Sequence, residues 1–125
     1  MLLDTNFLID LSHELEDRRI GPARNFLTRH RKETHAISVI SFGEFAAGME
    51  DSQAARDFVA RFRVIASKPE IALAAAAIDR DLIATGQRLG ENDNWIAGVA
   101  RYYGIPLASN DEAFDRVRNL RRLPY

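Results

Sequence analysis

The chain has 125 residues, of which 46% are hydrophobic and 28% charged, and 17 basic residues nearly balance 18 acidic ones. This length is typical of one domain, so we expect residues 1–125 to form a single domain. The absence of cysteine excludes disulfide scaffolds, thiolate metal sites and cysteine nucleophiles. No apolar run approaches the ~20 residues of a membrane helix, and no signal-peptide pattern is present. We therefore expect a cytoplasmic protein that does not associate with membranes.

Short apolar runs alternate along the chain with longer helical patterns. The runs that end at polar residues predict three strands, over 1–3, 36–40 and 105–108, and a weaker fourth over 64–66. The helical patterns cover 21–32, 41–49, 51–62, 69–88 and 92–103. Strands that alternate with helices are typical of a parallel sheet covered on both faces, so we predict an α/β fold. Such folds bind their ligands outside the carboxyl ends of the strands.

Four acidic residues lie at the ends of predicted strands or near the starts of helices: Asp4, Glu44, Asp93 and Asp111. Strand ends and helix starts meet at one edge of a parallel sheet, so we expect these carboxylates to converge there. Carboxylates at short range repel one another, and a bound cation relieves that repulsion. Because the ligands offered are oxygens only, the sequence favours Mg²⁺ or Mn²⁺.

Three of these acids also have a purely structural interpretation. Ser41 followed three residues later by Glu44 forms a capping-box pattern. Asp93 and Asp111 are acids of the kind that the helix dipole favours in a first turn. Asp4 is different, because it ends an apolar strand and is followed by Thr5 and Asn6, a hydroxyl and an amide. A strand-end carboxylate in polar company indicates a functional site.

Four segments, in order, resemble the sequence motifs of PIN-domain proteins. They are residues 2–10 (LLDTNFLID), 37–45 (ISVISFGEF), 90–100 (GENDNWIAGVA) and 107–114 (LASNDEAF). In the fourth segment Ser109 stands where threonine is usual, and Ala113 stands where many relatives have another acid. The resemblance covers essentially the whole chain. Its length and its short arginine-bearing tail look most like the VapC-type toxins of bacterial toxin–antitoxin pairs.

The resemblance implies a PIN-like three-layer fold, in which helices flank a central parallel sheet of about four or five short strands. It also implies an endoribonuclease that requires Mg²⁺ or Mn²⁺, forms a homodimer and is inhibited by a cognate antitoxin protein. Transferred by motif, the catalytic set would be Asp4, Glu44, Asp93 and Asp111. Asp4, Asp93 and Asp111 would be the metal ligands, whereas Glu44 would act through water or as a base.

Polar and basic residues complete the expected site. Thr5, Asn6 and Ser109 offer hydrogen bonds that fix the rotamers of the carboxylates. The tail carries Arg116, Arg118, Arg121 and Arg122 without an intervening acid. We expect Arg121 and Arg122 to contact the phosphates of RNA. The alternatives are contacts to the antitoxin or a solvated tail.

Two other classes of protein need residues that this chain lacks. A haloacid-dehalogenase-like phosphatase needs a second aspartate two residues after the first, where this chain has Asn6. A receiver domain needs a lysine before the late proline, where this chain has Ile105. A PIN-like nuclease that is not a toxin, and a non-catalytic RNA- or protein-interaction module, remain as alternatives. The module would typically have lost one or more of the four acids.

Overall fold

Five short strands form the centre of the protein in a computed structural model that describes all 125 residues. They are β1 (Leu2–Leu3), β2 (Ala36–Ser38), β3 (Arg63–Ile65), β4 (Leu107–Ala108) and β5 (Arg122–Leu123). Their order in the sheet is β3-β2-β1-β4-β5, and every neighbouring pair is parallel. The predicted α/β class and the central parallel sheet are therefore confirmed.

Six α-helices surround the sheet. They are α1 (Thr5–Glu16), α2 (Pro22–Arg29), α3 (Val39–Ala47), α4 (Ser52–Val59), α5 (Pro69–Ala84) and α6 (Glu91–Tyr103). A 3-10 helix, Glu112–Arg116, follows β4. None of the helices has both the length and the apolar character needed to cross a membrane.

The two faces of the sheet build two separate cores, because successive side chains of a strand point to opposite faces. Leu2 and Leu107 pack with α5 and α6 on one face. Leu3 and Ile37 pack with residues of α1, α2, α3 and α4 on the other face. This arrangement is the three-layer architecture that the resemblance implied.

Gly98 allows α5 and α6 to cross in close contact. A Cβ atom built on Gly98 would lie 2.9 Å from the Cβ of Ala75 and 3.1 Å from its backbone nitrogen. Such short contacts do not occur in well-packed interiors, so a side chain at this position would push the helices apart. The crossing fixes the position of α6, which carries Asp93 at its amino end.

The start of α3 differs from the sequence prediction. The predicted strand over 36–40 ends at Ser38, and the helix begins at Val39. The Ser38 hydroxyl accepts a hydrogen bond at 2.9 Å from the backbone nitrogen of Ser41, so Ser38 is the capping residue. The predicted capping box of Ser41 and Glu44 is therefore wrong. Both residues lie inside the helix, which leaves the Glu44 carboxylate free for another partner.

Two elements were not expected from the sequence. Helix α1 occupies Thr5–Glu16, and its amino end is capped by Asp4. The tail, for which a solvated segment was one alternative, instead adds β5 to the sheet beside β4. The predicted helices over 21–32, 51–62 and 69–88 are present but end about one turn earlier. Helix α6 ends at Tyr103, as predicted, and Gly104 follows it in a left-handed conformation with φ of 62°.

The direction of the chain across the sheet reverses between β1 and β4. From β1 the chain continues to β2 and β3 on one side, whereas β4 and β5 lie on the other. This reversal of direction is a topological switch point, where open α/β sheets bind their ligands.

Candidate metal and catalytic site

Asp4 and Ser109 meet at the switch point, because each directly follows one of the two central strands. Asp4 is 4% exposed. Its Oδ2 accepts a hydrogen bond at 2.7 Å from the Ser109 hydroxyl, and its Oδ1 accepts one at 2.7 Å from the backbone nitrogen of Thr5. Both oxygens of the buried carboxylate are therefore held in place by donors of the chain.

The pKa of the Asp4 carboxyl is raised above its usual value, mainly by burial. The hydrogen bonds from Ser109 and Thr5 oppose the rise, and the negative charges of Glu44 and Asp111 add to it. The carboxylates of Glu44 and Asp111 therefore lie within electrostatic range of Asp4.

Thr5 connects Asp4 to Glu44. Its hydroxyl donates a hydrogen bond at 2.7 Å to Oε1 of Glu44, while its backbone nitrogen donates to Asp4. Glu44 lies in the second turn of α3, rather than in the first turn as expected, and its side chain is exposed. One residue of α1 thus orients two carboxylates that are 40 positions apart in the sequence.

Asp93 lies in the first turn of α6, at the positive end of the helix dipole. Its pKa is nevertheless raised to about 6, first by burial and then by the charges of Asp4, Asp111 and Glu44. All four predicted acids contribute to one electrostatically coupled cluster.

Asp111 stands at the exposed rim of this cluster. It caps the 3-10 helix, and its Oδ1 accepts a hydrogen bond at 2.9 Å from the backbone nitrogen of Ala113. Its own backbone nitrogen donates to the Ser109 hydroxyl at 3.1 Å. Ser109 therefore touches both Asp4, through its donated proton, and the backbone of Asp111.

The remaining predicted residues have different surroundings. Asn6 is exposed, and the hydrogen bonds to Asp4 and Glu44 come from Thr5 and Ser109 instead. Arg121 is exposed. The Arg122 guanidinium, by contrast, has internal partners: Asp115, at 2.9 Å from both Nε and Nη2, and the Ser109 carbonyl. No sequence pattern pointed to this pairing, because Asp115 and Arg122 lie in segments without a regular period.

The donor set fits a hard divalent cation. It consists of carboxylate and hydroxyl oxygens, which Mg²⁺ and Mn²⁺ prefer. No three of the carboxylates surround one point at which an ion would contact all of them. Mg²⁺ keeps several water molecules and is usually held by one or two carboxylates together with substrate phosphate. The residues therefore fit an ion that one or two of the acids hold directly and the others hold through water.

Comparison with known proteins identifies the family. The PIN domain family model matches residues 1–120. The chain therefore belongs to the PIN-domain family. Its relatives include a protein named Ribonuclease VapC2 from Haemophilus influenzae, which is 30% identical over 128 aligned positions, covering 96% of this chain and 93% of that protein. Within the family, the chain groups with the VapC proteins.

Solved structures show the same fold. A structure of VapBC2 from Rickettsia felis, bound to a DNA fragment from their promoter, has a TM-score of 0.83 and 22% identity, and covers 99% of this chain and 97% of that one. A structure of DNA-bound VapBC from Salmonella typhimurium has a TM-score of 0.78 and 24% identity, with coverage of 98% and 96%. At these identities the similarity establishes the fold alone.

Proposed function

We propose that this protein is an endoribonuclease that cleaves RNA phosphodiesters with Mg²⁺ or Mn²⁺, and that it is the toxin of a toxin–antitoxin pair. The observation that carries the proposal is the convergence of Asp4, Glu44, Asp93 and Asp111 at the switch point, where burial and then the neighbouring charges raise the pKa of Asp4 and Asp93. The name of the Haemophilus influenzae relative, Ribonuclease VapC2, supports the activity.

In this proposal Asp4 and Asp93 hold the ion directly, and Asp111 is the third ligand, from the rim, through a water molecule. The ion would neutralise charge on the phosphate and make a water molecule a better nucleophile. Ser109 and Thr5 lock the carboxylates of Asp4 and Glu44 in fixed rotamers, which reduces the cost of assembling the site. Glu44 is exposed and accepts from Thr5 through Oε1 only, so its other oxygen is available to take a proton from water.

We further propose an antitoxin, RNA and a second copy of the chain as partners. The structural neighbours from Rickettsia felis and Salmonella typhimurium are VapBC structures, which supports a protein inhibitor. The outer face of α5 carries Leu73 and Ile83, which are 70% and 52% exposed and provide an apolar surface for a second copy. The exposed guanidinium of Arg121 is available for RNA phosphates.

The activity is tested by cleavage of a structured RNA containing single-stranded loops. We expect cleavage in Mg²⁺ or Mn²⁺ and none in EDTA. Asp4→Ala or Asp93→Ala should lower the rate by orders of magnitude, and Asp111→Ala should lower it less. Glu91→Ala is the matched control, because Glu91 is an exposed acid in the same turn of α6. Equal rates for wild type and Asp93→Ala would attribute the cleavage to a contaminating nuclease.

The same preparations separate the alternatives. A non-catalytic module would bind RNA without cleaving it in either cation. A PIN-like nuclease that is not a toxin would cleave RNA but would form no stable complex with the product of a neighbouring short gene. Co-expression of that product with this chain, followed by size-exclusion chromatography and the cleavage assay, tests both the partner and its inhibitory effect.

A further inference from the structure

Arg122 joins the tail of the protein to the segment that carries two site residues. Its Nε and Nη2 donate to the two carboxylate oxygens of Asp115, each at 2.9 Å, and its Nη1 donates to the Ser109 carbonyl at 3.1 Å. Its side chain is 13% exposed, against 56% for that of Asp115. A guanidinium that forks onto a carboxylate in this way has a fixed orientation. The third bond therefore acts on Ser109 from a rigid support.

Ser109 connects two residues of the cluster. It is fully buried, its hydroxyl donates to Oδ2 of Asp4 at 2.7 Å, and the same hydroxyl accepts from the backbone nitrogen of Asp111 at 3.1 Å. Its backbone nitrogen donates to the Leu123 carbonyl at 3.0 Å, and its carbonyl accepts from the Arg122 side chain, so the two residues of β5 hold the backbone of Ser109 at its nitrogen and at its carbonyl. A shift of this peptide would move the donor that orients Asp4.

We propose that Arg122 is a positioning residue for the carboxylate cluster: it is anchored on Asp115, holds the Ser109 carbonyl, and so fixes the Ser109 hydroxyl against Asp4 and Asp111. The inference rests on the proposed function and names a further residue on which that function depends. It also replaces the role expected from the sequence, in which Arg122 contacts RNA. The two roles make opposite predictions, because a positioning residue affects the chemical step whereas a phosphate contact affects RNA affinity.

A second arginine of the chain provides a matched control. Arg88 also forks onto a carboxylate, with Nε and Nη2 at 2.9 and 3.0 Å from the two oxygens of Asp79. That pair connects α5 to the segment before α6 and does not touch Ser109 or the acids. Arg88→Ala removes the same side chain and the same forked pairing at a more exposed position, 63% against 13% for Arg122, so it measures the cost of losing an arginine–aspartate pair that is remote from the cluster.

The experiment compares wild type, Arg122→Ala, Arg122→Lys and Arg88→Ala. Mn²⁺ affinity is measured by calorimetry, kcat and KM by RNA cleavage, and hydrogen exchange at the Asp111 amide by NMR. Loss of a residue that orients metal ligands typically costs about 10–100-fold in metal affinity or activity. We expect Arg122→Ala to lower kcat and weaken Mn²⁺ binding in that range, to leave KM and its salt dependence nearly unchanged, and to accelerate exchange at Asp111. Arg88→Ala should behave as wild type in all four measurements.

Arg122→Lys keeps the charge but cannot hold Asp115 and Ser109 together, so we expect a partial loss of kcat. If Arg122→Ala does not fold, the kcat of Arg122→Lys tests the positioning role instead. A raised KM and a weaker salt dependence, with unchanged kcat, would overturn the positioning role in favour of a phosphate contact. Unchanged kcat and Mn²⁺ affinity beside an active wild type would overturn it while leaving the proposed function intact. If wild type cleaves no RNA, the proposed function fails, and unchanged exchange at Asp111 in Arg122→Ala would then overturn the inference independently.

Discussion

Replacing Asp93 by asparagine is expected to stabilise the protein without divalent cations at neutral pH, although the same change removes a proposed metal ligand. The pKa of Asp93 is raised from 3.8 to about 6 by burial and by the neighbouring carboxylates. At about 1.4 kcal/mol per pKa unit, the charged form costs the folded state up to about 3 kcal/mol. Partial exposure reduces this figure, and the favourable interaction with the helix dipole, about 0.3–1 kcal/mol, is lost with the charge. We therefore expect a net gain of about 1–2 kcal/mol.

The size of this stabilisation depends on pH in a defined window. Because the pKa is raised on folding, the penalty is fully present above about pH 6 and is lost as pH falls through the range from 6 to 3.8, below which the carboxyl is protonated in both states. Urea denaturation in metal-free buffer at pH 7.5 and pH 4 measures it, with Glu91→Gln as the control for the first turn of α6. An advantage of Asp93→Asn that persists unchanged at pH 4, or a loss of stability at pH 7.5, would refute the electrostatic explanation.

Three further predictions concern the metal, the core and the tail. Mn²⁺ at about a hundredfold excess over its dissociation constant should stabilise wild type by about 2.7 kcal/mol and Asp4→Asn by less. Scanning calorimetry measures both, and an absence of binding at millimolar Mn²⁺ would contradict the proposed site. Gly98→Ala should lower the melting temperature, because its Cβ would meet Ala75 at 2.9 Å, whereas Gly43→Ala, which meets nothing within 4 Å, should raise stability by about 0.5–1 kcal/mol. Arg121→Ala should reduce the slope of log RNA affinity against log salt by about 0.7–1, and an unchanged slope would exclude a phosphate contact.

The acids of the site could be predicted because the sequence shows where the strands end. Three short apolar runs that each stop at polar residues locate the carboxyl ends of the strands, and in a parallel sheet those ends share one edge. Asp4 and Asp111 could therefore be placed near one another although they are 107 positions apart in the sequence. The coupled pKa shifts of Asp4 and Asp93 agree with that placement.

The contacts that orient the acids could not be predicted from the sequence in this way. Helix α3 is capped by Ser38 and not by Ser41. Local propensity does not distinguish two serines that are three positions apart. Because Glu44 then lies inside the helix, its carboxylate is free to pair with Thr5. The pairing of Arg122 with Asp115 depends on how an irregular segment returns to the sheet edge, which no periodic pattern encodes.

Capping a helix does not conflict with the metal-ligand role proposed for Asp4. Asp4 and Asp51 both cap helices through Oδ1, to the backbone nitrogens of Thr5 and Ala54, both at 2.7 Å. Asp51 is exposed and has no further role in the contacts described, whereas Asp4 is buried and uses its second oxygen for Ser109, from a strand at the other end of the chain. Capping alone requires one oxygen and no burial. Burying the second oxygen of Asp4 removes its solvation, and this cost is not needed to cap a helix. The buried oxygen with a distant donor, and not the position of Asp4 at a helix start, is therefore the feature that indicates a functional site.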